Sequence, residues 1–189
     1  MNRTQEHSEA LEREHIDKIR QGDECAFKEI FLAYYPRLCA LAADYLKSHD
    51  LGREVVQEVF LGIWERRRSW HPEGPLRPYL YRAVCNRSIN HIKKHQTRRE
   101  AASHYAKTAV ISENNVDHEF DLKELNKILW EAVAKLPKKR YLIFVLHRRH
   151  QLSYKEIAQS MDISVKTVEN QMGQALKFLR KELTPDYFS

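Results

Sequence analysis

The chain has 189 residues, a formal net charge of +6, and 31% charged against 42% hydrophobic residues. That balance fits a soluble globular protein of one ordinary domain or two small ones. Five Gly and six Pro stand among abundant Leu, Ala, Glu, Lys and Arg, which favours helices and excludes a many-stranded β fold. Three cysteines without a C-x-x-C pair argue against a zinc site and fit reduced thiols.

Met1 to Arg20 is too polar for a signal peptide, and no stretch approaches the ~20 apolar residues of a membrane span. The expectation is a cytoplasmic protein with no membrane insertion. A first helical region is expected from Glu14 to His95. Asp23 can cap a helix whose apolar positions are Ala26, Phe27, Ile30 and Phe31. Pro36 is placed to open a second stretch carrying Leu38, Ala42 and Tyr45. Asp50 can cap the next helix, with an inner stripe of Leu51, Val55, Val56, Val59, Phe60, Ile63 and Trp64. A Pro-rich loop is expected from Ser69 to Pro78, then a helix from Tyr79 to His95.

Residues 96–120 read as a linker: Gln96 to Asn115 has no sustained period and ends in a polar run. The second region spans 121–183. Asp121 and Glu124 form a potential capping box for a helix with the stripe Leu122, Leu125, Ile128, Leu129, Val133 and Leu136. Pro137 punctuates, and further helices are expected over Lys138–Arg149, Tyr154–Ser160 and Val165–Lys181. The fold class is all-α: two small helical domains joined by a linker, the second containing a helix-turn-helix.

The basic charge is clustered. Arg77 to Arg99 carries seven Lys or Arg and no acid, and Pro137 to His150 carries five and no acid. Between them, Ile111 to Glu124 holds five acids and one Lys. Two basic blocks parted by an acidic one suit two surfaces for a polyanion, since clustered cations gain affinity by releasing phosphate counterions.

Ser153 to Arg180 gives one of those surfaces a shape. Ser153 with Glu156 makes a capping box, Ser164 caps the following helix, and only Met161, Asp162 and Ile163 lie between. Helices joined so tightly cross steeply. The core would be Ile157, Ala158, Met161, Ile163, Val165 and Val168, with Met172, Ala175, Leu176 and Leu179 continuing the inner face. The outer face carries Lys166, Thr167, Asn170, Gly173, Gln174 and Lys177. Asn and Gln pair with base edges in a major groove, while Lys and Thr hold phosphates. Asp162 stands where many such turns have Gly, and Asp tolerates the left-handed conformation. This motif alone also suits a transcription regulator that works without polymerase: SVKTVENQM resembles the recognition helix of LuxR-type regulators.

The first region separates these readings. It has no alternation of strands and helices such as a receiver domain would show. Its strings ECAFKEIFLAYYPRLCALAADYL, VVQEVFLGIWERR and LRPYLYRAVCNRSINHIKKH, in that order, closely resemble region 2 of extracytoplasmic-function (ECF, group IV) RNA polymerase sigma factors. Leu122 to Leu183 similarly resembles their region 4. The resemblance implies a sigma factor that binds core RNA polymerase and directs promoter-specific initiation, with no enzymatic chemistry and no cofactor. It implies that Glu54, Gln57, Glu58 and Leu61 dock on the clamp coiled coil of the largest polymerase subunit. It implies that Tyr79, Arg82, Asn86, Asn90 and Lys93, with Trp70 and Arg77 in or beside the preceding loop, open and read the −10 element. Ser164, Lys166, Thr167, Asn170, Gln174 and Lys177 would read the −35 element. Tyr79 stands where many relatives have Trp, and Cys85 where Arg is frequent. Many relatives are held by an anti-sigma factor, which makes one a candidate partner. His91 and His95, four apart with two lysines and no acid between them, are not read as a metal site.

Overall fold

The computed structural model describes the backbone of residues 3–102 and 120–183, and the side chains of residues 11–94 and 124–183. Its elements are α1 (Arg3–Arg20), α2 (Glu24–Leu46), α3 (His49–Glu65), a 3-10 turn (Arg67–Ser69), α4 (Leu76–Ala102), α5 (Phe120–Ala134), α6 (Lys138–Arg148), α7 (Tyr154–Met161) and α8 (Val165–Leu183). They form two compact units, residues 1–110 and 111–189. None of the described helices is long and apolar enough to cross a membrane.

In the first unit, α1 ends because Gly22 takes φ +94° while the Asp23 and Gly22 amides donate to the carbonyls of Lys18 and Ile19. The chain re-enters a helix at once. The Asp23 carboxylate accepts from the amides of Cys25 and Ala26 at 2.8 and 3.1 Å, the cap expected from sequence. The helix that follows runs unbroken through Pro36, contrary to the expected new start there. Pro36 deprives the Leu32 carbonyl of its partner, but both residues lie on the exposed side, where water can replace the bond. The opposite side, Ile30, Leu38, Leu41 and Ala42, is buried and holds the two halves in line.

Ser48, not Asp50, caps α3: its hydroxyl accepts from the Leu51 amide at 3.3 Å. Asp50 instead occupies the first turn, where a carboxylate favours the helix dipole, and pairs with Arg53. α2 and α3 join through aromatic rings. Phe60 lies 4.9 Å from Phe31 and 6.0 Å from Phe27, and Trp64 lies 5.0 Å from Phe27. Gly52 is buried where the helices cross; a Cβ there would sit 2.8 Å from the Ala43 nitrogen.

α4 starts at Leu76, earlier than the expected Tyr79, because Pro78 falls in the first turn, where a helix has no amide bond to lose. It also runs past His95 to Ala102, so residues 96–102, expected as linker, are helical. Arg98, Arg99, Glu100, Ala101 and Ala102 are all good helix formers. The rest of the expected linker up to residue 119, and the Asp121 side chain of the expected capping box, lie outside the described residues.

In the second unit, five successive residues of α6, Leu142 to Leu146, are buried, so the middle of this helix is enclosed on all sides while its ends, Lys138, Lys139 and Arg148, are exposed. α7 and α8 pack against it, while α5 packs on α8 and reaches α6 through Trp130, whose ring lies 6.3 Å from that of Phe144; Val133, Leu136, Ile157, Ala158, Val168 and Met172 complete the core. Leu125, expected in the inner stripe of α5, is exposed.

Candidate polymerase and nucleic-acid interfaces

The turn between α7 and α8 is built by local bonds. Ser153 and Glu156 form the reciprocal capping box: the Glu156 carboxylate accepts from the Ser153 amide at 2.8 Å and the Ser153 hydroxyl from the Glu156 amide at 3.3 Å. Asp162 ends α7 at φ +54°, and the Ile163 amide donates to the Ala158 carbonyl at 3.0 Å. Ser164 then accepts from the Thr167 amide at 3.1 Å. All three devices agree with the expectation for a helix-turn-helix.

On α8 the buried stripe is narrow: Val168, Met172, Ala175 and Leu179. Val165 and Leu176, expected inside, are 40% and 46% exposed because they flank that stripe. Lys166, Asn170, Gln174 and Lys177 are exposed, and Thr167 is half-buried with its hydroxyl 2.8 Å from that of Ser164. Thr167 and Ser164 thus serve the helix start itself. Lys166 lies 3.3 Å from Glu169 in an exposed pair of little strength. One basic residue absent from the expected set reaches this face: Arg140 of α6 donates to the side-chain oxygens of both Gln171 and Gln174. Its membership of the basic block Pro137–His150 was the only sign in the sequence.

In the first unit, Glu54, Gln57, Glu58 and Leu61 share the outer face of α3, and Leu61 is 57% exposed. Asn86, Asn90 and Lys93 are exposed on α4, with Tyr79 and Arg82 half-buried. A shallow groove of about 600 Å3 between the helices brings the two sets together, lined by Glu58, Leu61, Arg66, Tyr79, Asn86 and Asn90. Glu58 crosses it, accepting from the Arg87 Nε at 2.6 Å.

Trp70, expected in the −10 set, is only 6% exposed, its ring centroid 6.0 Å from that of Tyr79 and its plane tilted 57° to it. Arg77 is half-buried, with its guanidinium 5.8 Å from the centre of the Tyr81 ring. Cys85 is buried, and that burial pushes its thiol up to about 12, so the position serves the core. An unforeseen anchor holds the start of α4. The Glu12 carboxylate of α1 accepts from the Tyr34 hydroxyl at 2.8 Å and the Leu76 amide at 3.3 Å. Burial, reinforced by that bond to Glu12, holds the Tyr34 hydroxyl well above the usual phenol range.

Two helical units, one presenting a helix-turn-helix and the other a polar helix beside an acidic one, agree with the two-domain all-α architecture expected from the sequence. Residues 30–98 match the family described as sigma-70 region 2, and residues 126–179 match sigma-70, region 4. Sequence relatives include ECF RNA polymerase sigma-E factors. That of Haemophilus influenzae is 24% identical, over 90% of this chain and 94% of its own; that of Escherichia coli K12 is 26% identical, over 90% and 93%. Two solved structures share the fold. CnrH in complex with the cytosolic domain of CnrY has a TM-score of 0.67 at 22% identity, covering 93% of this chain and 99% of its own. The sigma factor RpoE in complex with the anti-sigma factor NepR from Bartonella quintana has a TM-score of 0.68 at 19% identity, covering 85% and 98%. The chain belongs to the sigma-70 family, as a sigma factor of the extracytoplasmic-function type with regions 2 and 4. It binds core RNA polymerase and promoter DNA and directs transcription initiation; it is an initiation factor, not an enzyme.

Proposed function

We propose that the two units divide this work. Glu54, Gln57, Glu58 and Leu61 dock on the clamp coiled coil of the largest polymerase subunit, as an acidic face with an apolar centre suits a basic, amphipathic partner. Tyr79, Arg82, Asn86, Asn90 and Lys93, with Trp70 and Arg77 beside them, take the melted −10 element by stacking, phosphate contact and reading of unpaired base edges. Lys166, Asn170, Gln174 and Lys177 read the −35 element in the major groove, with Ser164 and Thr167 shaping the helix start. The work is done in the cytoplasm, where RNA polymerase is. An anti-sigma factor is a fitting regulator, since the RpoE structure with this fold holds one.

The observation that carries this reading is the groove, which sets Glu58 and Leu61 against Tyr79, Asn86 and Asn90. Docking the polymerase on one wall brings it beside DNA on the other. A pull-down with core polymerase tests it: Glu58→Lys with Leu61→Ala should weaken capture at least tenfold with helicity unchanged. Arg87→Ala, which opens the Glu58 ion pair but keeps the carboxylate, should not. Equal capture of all three proteins refutes the docking face.

A further inference from the structure

We propose that Arg140 is a specificity-positioning residue: it turns the Gln174 amide so that this chain reads a guanine, not an adenine, at one step of the upstream element. This rests on the reading of α8 as the −35 helix. Arg140 is half-buried on α6, and its Nε donates to the Gln171 Oε1 at 3.4 Å while a terminal nitrogen donates to the Gln174 Oε1. A guanidinium has donors only. Both amides must therefore turn their oxygens inward, and the choice between oxygen and nitrogen, ambiguous for a free Gln, is fixed by chemistry. Bonds to a charged donor are also stronger than neutral ones, so the orientation holds when DNA arrives.

A free Gln reads adenine by accepting from N6 and donating to N7. With its oxygen facing Arg140, Gln174 presents the groove with its two N–H groups. Guanine offers two adjacent acceptors, N7 and O6, which match that pair. Adenine offers N7 beside a donor, which leaves one amide hydrogen facing another. Cytosine offers a donor alone. The order expected on the strand that Gln174 faces is guanine, then adenine, then cytosine. Gln174 is exposed and projects on the same side of α8 as Asn170 and Lys177, so its outward nitrogen is free to meet a base.

The test is transcription of a library randomised across the upstream element by core polymerase carrying the full chain. Arg140→Met keeps most of the buried stem and removes the donors. It should shift preference at one base pair from guanine toward adenine, by on the order of tenfold in their ratio. Gln174→Ala should abolish the preference at that same position, and adding Arg140→Met to it should change nothing further there. Uniform loss across all sequences in Arg140→Met, with thermal stability intact, would make Arg140 a phosphate contact and overturn the proposal. If Gln174→Ala leaves every base preference unchanged, the −35 role of Gln174 fails, and this proposal with it. A changed Gln174→Ala beside an unchanged Arg140→Met defeats the positioning alone.

Discussion

Gly52 and Gly173 show how the same residue type carries opposite costs. Both lie inside helices, where Ala is preferred to Gly by up to ~1 kcal/mol. At Gly173 nothing lies within 4 Å of an added Cβ, so Gly173→Ala should stabilise the free protein by a few tenths to ~1 kcal/mol. At Gly52 the Cβ would lie 2.8 Å from the Ala43 nitrogen and 3.1 Å from the Cys39 carbonyl oxygen, both backbone. α2 and α3 would have to part, and Gly52→Ala should cost on the order of 1–3 kcal/mol. Urea unfolding of both variants in the absence of DNA measures the contrast; a stabilised Gly52→Ala would contradict the close crossing. Nothing in the periodicity around Gly52 marks it as indispensable. Trp70 is a different case: its burial and its 6.0 Å ring contact with Tyr79 arise from tertiary packing that its neighbours in sequence do not mark.

Elements were legible where their signals are local. The α7–α8 turn is specified by caps within a few residues of the bonds they make, and structure and sequence agree there. The start of α4 and the continuity of α2 were not legible, because a Pro that could break a helix is harmless in a first turn or on a hydrated face. The role of α1 was hidden for a different reason: Glu12 meets Leu76 across 64 positions of sequence. α1 is also tied to α2 by His15, whose Nδ1 lies 2.7 Å from the Leu11 carbonyl oxygen and Nε2 2.6 Å from Glu29. Both ring nitrogens donate only in the protonated ring. The Leu11 bond first, then Glu29, raises the His15 pKa above its ordinary 6.5. Stability from this pair is therefore complete below pH ~6.5 and lost as pH rises through the higher folded value. Glu29 is largely exposed, so the gain should stay under ~1 kcal/mol. Glu29→Gln should lower the melting temperature at pH 5.5–6.5, and the difference should vanish by pH 9. A difference that persists at high pH would show that the pair acts through something other than His15 protonation.

At the scale of the whole molecule, the basic blocks around Arg77–Arg99 and Pro137–His150 fall in different units, and the proposed division of the promoter between the units asks different physics of each. α8 carries Asn170 and Gln174 on an exposed helical face, which suits duplex edges; α4 carries Asn86 and Asn90 above the half-buried Tyr79, which suits bases already unstacked. With a promoter library transcribed by holoenzyme, Asn170→Ala should relax preference upstream only and Asn86→Ala downstream only. Each lost base-edge contact should cost ~1–3 kcal/mol. Lys93→Ala should instead weaken all sequences alike and reduce the salt slope by about 1, as the loss of one phosphate contact does. A template with a pre-melted −10 bubble separates melting from duplex reading. It should restore initiation by Tyr79→Ala more than by Asn170→Ala, because the bubble supplies the opened strand but leaves the upstream duplex contact still missing. If the bubble rescued Asn170→Ala and not Tyr79→Ala, the unit that melts DNA would be the second one, and the assignment of both faces would be reversed.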